Sequence, residues 1–130
     1  MNIVLDSYAI LAYIGDEVGA EKVEKYLHMA KEGKITLYMN YVNLGEVYYI
    51  LARQDLEKAD LSIALLKREP IVFIQADEKL SLLAGRIKAF HKLGYADAFV
   101  VATAIETNSR ILTGDEEFKR VEDKVEIEWL

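Results

Sequence analysis

Cysteine is absent from this 130-residue chain. That excludes a disulfide framework, a thiolate zinc site and a cysteine nucleophile. Proline occurs once and glycine seven times, which argues against disorder or low complexity. Long apolar runs are missing as well. The longest nearly apolar stretch, Ala98 to Ile105, is far shorter than the ~20 residues a membrane span requires. The N-terminal apolar stretch is interrupted by Asp6 and lacks the form of a signal peptide. These absences predict one domain over residues 1–130, cytoplasmic and without a membrane partner. Half the residues (52%) are hydrophobic, enough for a core without covalent staples.

Positive charge is the scarcer sign. Lys and Arg number 16 against 22 Asp and Glu, a formal net charge of −6. Such a balance argues against nucleic-acid binding, unless part of the acidity is gathered at a metal site, where divalent ions offset it.

The apolar pattern alternates between strands and helices. Residues 2–5, the Ile35-Leu37-Met39 segment, Ile71–Ile74 and Arg110–Thr113 read as short strands. Val125, Ile127 and Trp129 alternate with Glu126 and Glu128, which predicts a fifth strand with one wet face. Helices are expected over 8–14, 17–32, 42–53, 56–67, from the Asp77 cap to Lys92, and over 97–107, with Gly33 and Gly94 as stop signals. Strands separated by helices predict an α/β fold with a mostly parallel sheet of about five strands. In such sheets the ligand crevice lies at the carboxyl ends of the strands.

Four acids are hard to explain by packing. Asp6 and Asp115 end apolar strands. Glu46 lies among Val42, Val47 and Ile50, on a face where a carboxylate is costly without a partner. Asp97 heads the helix face of Val100, Val101, Ala104 and Ile105. Each has an ordinary alternative. Asp6, Asp97 and Asp115 could be helix caps, and Glu46 a boundary residue whose head reaches water. Gly114 permits a tight turn before Asp115, and the Thr113 hydroxyl can share its crevice. Asn43, one turn before Glu46, could orient it. Glu116 and Glu117 are secondary candidates. If the four acids converge, their oxygen-only donor set suits one or two Mg2+ or Mn2+ ions rather than zinc or copper. Asp6, Asp97 and Asp115 are the expected direct ligands, with Glu46 binding directly or through water.

The segments Leu5-Asp6-Ser7-Tyr8, Asn43-Leu44-Gly45-Glu46-Val47, Ala96-Asp97-Ala98-Phe99-Val100-Val101-Ala102-Thr103-Ala104 and Thr113-Gly114-Asp115-Glu116-Glu117-Phe118 resemble the successive motifs of PIN-domain ribonucleases, VapC-type toxins above all. The resemblance spans essentially the whole chain. It implies a three-layer sandwich, an acidic Mg2+ or Mn2+ pocket and endonucleolytic cleavage of RNA. By motif position it places Asp6, Glu46, Asp97 and Asp115 as the catalytic acids, with Ser7, Asn43 and Thr113 in support. It further implies a homodimer and an antitoxin protein that covers the pocket.

Other groups fit several roles. Arg86, Lys88 and Lys92 cluster on one predicted helix and could meet RNA phosphates, although a solvated helix face explains each alone. Tyr38, Tyr41, Tyr48 and Tyr49 surround the Glu46 helix and could stack bases, line an interface or pack in the core. A structure-selective DNA nuclease is the nearest alternative, but 130 residues leave little room for a DNA clamp. A phosphoacceptor domain would want an acid pair after the first strand and a central aspartate after the third, where Gln75 stands. A haloacid-type phosphatase would want an acid at Tyr8. A noncatalytic RNA- or partner-binding module remains as a different class.

Overall fold

A computed structural model describes residues 1–130. The strands are β1 (Asn2–Leu5), β2 (Thr36–Asn40), β3 (Ile71–Ile74), β4 (Arg110–Thr113) and β5 (Ile127–Trp129). They form one sheet in the order β3-β2-β1-β4-β5, and every pairing is parallel. The helices are α1 (Ser7–Ile14), α2 (Ala20–Lys31), α3 (Tyr41–Ala52), α4 (Leu56–Leu66), α5 (Glu78–Phe90) and α6 (Tyr95–Thr107), with a 3₁₀ helix over Glu116–Val121. No helix is long and apolar enough to cross a membrane.

The central strands are apolar throughout because both faces of the sheet are covered. Ile3, Leu5, Leu37 and Leu112 point into a core shared with α1 to α4. Val4 and Ile111 point the opposite way, into a core built by α5, α6, Phe118 and Val121. The result is an α/β/α sandwich. The order in which the chain adds strands across the sheet reverses between β1 and β4, which pair directly in parallel through Ile3–Arg110, Val4–Ile111 and Leu5–Leu112. This switch point leaves a crevice beyond the strand ends. Asp6 follows β1 and Asp115 follows β4 by two residues.

Three helix boundaries differ from the sequence reading by two residues or more. The second helix starts at Ala20 rather than 17, because Asp16 and Gly19 both take positive φ (51° and 97°) in the connection. A side chain at Gly19 would also meet Leu130, 2.8 Å from its Cβ. Val18, expected on that helix's apolar stripe, therefore stands in solvent at 92% exposure. The fifth helix ends at Phe90, and Gly94 caps the start of α6 instead of stopping α5. Lys92 thus lies off the helix that carries Arg86 and Lys88. The sixth helix begins two residues early, at Tyr95.

The final strand lacks the expected wet face. Glu126 is outside it and exposed, whereas Glu128 is 17% exposed and paired with Arg110 at 3.2 Å. The Tyr26 hydroxyl donates to the same carboxylate, and Lys22 donates to the Trp129 carbonyl at 2.7 Å. α2 covers this edge of the sheet and uses polar groups to do it.

Candidate active site

Asp6 is 1% exposed. Its Oδ1 accepts from the Ala9 amide at 2.8 Å, as a helix cap does. Its Oδ2 accepts from the Thr113 hydroxyl. Burial outweighs these two bonds, and the Asp97 and Asp115 charges add to it, so the carboxyl is pushed up from 3.8 to about 7. The capping role and a role in the crevice therefore coexist.

Thr113 joins the two strand-end acids. While donating to Asp6, its Oγ1 accepts from the Asp115 amide at 3.0 Å. Asp115 in turn caps the 3₁₀ helix by accepting from the Glu117 amide at 2.9 Å. Ser7 opens α1 beside Asp6 and is half-buried.

Asp97 is no cap. Gly94 occupies that position, and Asp97 is the third residue of α6. Its carboxyl is also raised to about 7, first by burial, then by the charges of Asp115, Glu46 and Glu117. One carboxylate oxygen each from Asp97, Asp115 and Glu117 lie within 4.8 Å of one another. Glu117, a secondary candidate in the sequence, thus joins the cluster through the tight 3₁₀ turn that follows Asp115.

Glu46 reaches the site from α3. Its Oε1 is buried and has no hydrogen-bond partner, contrary to a boundary residue whose head is fully solvated. Asn43 Oδ1 is the other buried side-chain atom without a partner. Asn43 does not hydrogen-bond to Glu46. Its Nδ2 donates to the Ala96 carbonyl at 3.0 Å, which pins α3 to the start of α6. A second tie runs from Asn40, which caps α3 through the Val42 amide at 2.8 Å and reaches Thr103 Oγ1 on α6 at 3.3 Å. The sequence reading missed Asn40 and Thr103; the signal was a polar residue at each strand end or helix stripe where an apolar one packs better.

The donor set fits a divalent cation. Three carboxylates converge with Asp6 and Glu46 close enough to act on the cluster, Asp6 and Asp97 are both raised to about 7, and two buried oxygens lack any donor. A hard cation would answer all three features, because it favours ionised oxygen ligands.

Arg86, Lys88 and Lys92 are exposed, but Lys88 Nζ is occupied with the Leu93 carbonyl at 2.8 Å. The tyrosines around Glu46 are engaged too. Tyr41 stacks on Phe73, Tyr48 donates to Asp60 and Tyr49 faces the Arg53 guanidinium.

Structural comparison places the fold among toxin–antitoxin proteins. A chain of VapBC2 from Rickettsia felis, solved with a promoter DNA fragment, matches with a TM-score of 0.78, 18% identity, and coverage of 99% of this chain and 98% of that one. A DNA-bound VapBC from Salmonella typhimurium matches with a TM-score of 0.74, 15% identity and coverage of 99% and 98%. VapC20 of Mycobacterium tuberculosis, described as a sarcin-ricin loop cleaving toxin, matches with a TM-score of 0.68, 16% identity and coverage of 90% and 92%. A search of curated proteins found no match. The family profile described as PIN domain matches residues 3–124, and the chain therefore belongs to the PIN domain family.

Proposed function

We propose that this protein is a Mg2+- or Mn2+-dependent endoribonuclease acting as the toxin of a toxin–antitoxin pair. The observation that carries the reading is the meeting of Asp6, Asp97, Asp115, Glu46 and Glu117 at the switch point, with unpartnered oxygens on Asn43 and Glu46. PIN domains are nucleases, and one structural neighbour is described as an RNA-cleaving toxin.

Asp97, Asp115 and Asp6 would hold one or two ions, with Glu46 and Glu117 completing the set. When bound, such an ion polarises the scissile phosphate and lowers the pKa of a water. The chain's own contribution is orientation. The Ala9 amide and Thr113 hydroxyl fix both oxygens of Asp6, and the Glu117 amide fixes one oxygen of Asp115. Asn43 and Asn40 hold α3, and with it Glu46, against α6. The uncompensated acid cluster repels a phosphate, so substrate binding and ion binding go together.

A protein partner suits the surface as well. Leu61 and Leu65, one turn apart on α4, are exposed, as are Leu82 and Phe90 of α5. An antitoxin and a second copy of the chain are the proposed occupants of these apolar faces. The deciding experiment is digestion of matched single-stranded RNA and DNA with Mn2+, beside the Asp6→Asn protein. RNA cleavage that the variant lacks is expected. Faster cutting of DNA would favour a DNA nuclease, and equal RNA cleavage by both proteins would point to a contaminant and a binding module.

Glu117 gives a finer test. Glu117→Gln is expected to raise the Mn2+ concentration for half-maximal cleavage by about tenfold, with the saturated rate changed little. Its carboxylate is exposed and shared with Arg120 at 3.3 Å, so its hold on an ion is the weakest of the set. An unchanged metal requirement would remove Glu117 from the site.

A further inference from the structure

The chain has eight tyrosines, and seven are accounted for. Tyr13, Tyr26 and Tyr48 donate to carboxylates. Tyr41 and Tyr95 pack on phenylalanine rings, Tyr49 faces Arg53 and Tyr38 packs against the core. Tyr8 differs. It is 48% exposed and has no hydrogen-bond, aromatic or cationic partner.

Its position is nevertheless held. Tyr8 follows Asp6 by two residues, and its ring lies directly on Gly114. A Cβ at Gly114 would stand 2.3 Å from Tyr8 Cε1 and 2.9 Å from Cδ1 and Cζ. Such separations are far inside van der Waals contact, so only glycine allows the ring to sit there. Gly114 does not have positive φ. The glycine read in the sequence as a turn residue is there for close approach.

The residue beneath the ring joins Thr113 to Asp115, and Thr113 bonds to Asp6. The ring thus rises from the backbone that connects the two strand-end acids. A phosphate seated on those acids brings its flanking nucleobase within reach of the ring. About half of the aromatic side chain is free for that base. Stacking of this kind is tolerant of base identity and adds markedly to single-strand binding. Because the Tyr8 ring already rests against Gly114, part of its freedom is given up before binding.

We infer that Tyr8 is a nucleobase-stacking residue that positions the nucleotide beside the scissile phosphate. This rests on the ribonuclease reading, and a binding measurement separates the two. The Asp6→Asn protein serves as a background in which RNA stays intact. A fluorescently labelled RNA oligonucleotide is titrated in Mg2+ and followed by anisotropy, together with copies carrying one abasic residue at each position in turn.

Adding Tyr8→Ala to that background is expected to weaken binding of the intact oligonucleotide about tenfold, while Tyr8→Phe and Tyr8→Trp retain it. At one abasic position the Tyr8→Ala effect should vanish. Tyr95→Ala serves as the control. Its ring is equally exposed and lies on Phe99, and two residues along a helix place it about 200° from Asp97.

Unchanged RNA binding by Tyr8→Ala would overturn the inference and leave the ring as a contact for a protein partner. Equal weakening with every abasic oligonucleotide would overturn it too, since the ring would then act through the backbone. Failure of the parent protein to cut RNA in Mn2+ would sink the nuclease reading alone, because the base-dependent binding result is read without cleavage.

Discussion

Asp6→Asn is expected to lower RNA cleavage by at least about a thousandfold, equivalent to ~4 kcal/mol of transition-state stabilisation. In the same protein, free of metal at neutral pH, the thermal midpoint is expected to rise. The two effects have opposite signs because Asp6 is badly placed for stability. Its carboxyl is 1% exposed and faces the charges of Asp97 and Asp115. Asparagine keeps the acceptor for the Ala9 amide and removes the buried charge. Its amide can donate to the Thr113 hydroxyl oxygen, so the cap and the strand-to-strand link both persist. Under the proposed function a cation ligand is lost, however, since a neutral amide is a much weaker donor to a hard ion. Paired measurements of cleavage and thermal unfolding check this. Lost cleavage with a lowered midpoint would mean that the variant simply unfolds, and retained cleavage would exclude Asp6 from the chemistry.

The Mn2+-induced rise in thermal midpoint is expected to grow steeply from pH 5 to pH 8. Asp6 is held up at about 7 in the folded protein, against 3.8 ordinarily. The folded state therefore keeps a proton that the unfolded state has released. A group raised in this way gives its full stability below about pH 4, and loses it as pH rises through about 7. Each unit of displacement is worth ~1.4 kcal/mol, so Asp6 alone withdraws on the order of a few kcal/mol from the metal-free protein. Asp97 is raised in the same direction, with a smaller effect because it is more exposed. Manganese competes with those protons. It has little to offer at pH 5 and the most to offer once the acids are ionised. Unfolding curves across that range, with and without Mn2+, test the claim. In Asp6→Asn the metal-free pH slope should flatten. A metal effect independent of pH would show that the ion binds away from these acids.

The sheet and the placement of its acids were legible because they depend on local signals. A strand buried on both faces must be apolar, so a carboxylate directly after Leu5, or two residues after Thr113, stands out in the sequence. What was not legible depends on distant neighbours. Gly114 looks like a turn until Tyr8 is seen lying on it. Asn43 looks like a partner for Glu46 until the Ala96 carbonyl, 53 positions on, takes its amide. Glu128 looks like a solvated strand residue until Arg110 and Tyr26 close on it. The start of α2 depends on a positive φ at Gly19 and on Leu130 beside it. Asp97 looked like a cap because Gly94 precedes it, and only the backbone shows that the glycine itself is the cap. In each case the residue type was right for two environments, and the tertiary contact chose between them.

The hydroxyl of Thr113 and the carboxylate of Asp6 meet across 107 positions of chain. The other acids enter from between and beyond these points, on α3, α6 and the 3₁₀ helix. No short segment contains the constellation, so it cannot be assembled by local folding. During synthesis Asp6 emerges first and waits through β2, β3 and six helices before β4 is made and slides in beside β1. Whatever the acids do, they acquire the capacity late and all together, when the sheet closes around its middle. A partly made chain lacks the complete set of acids.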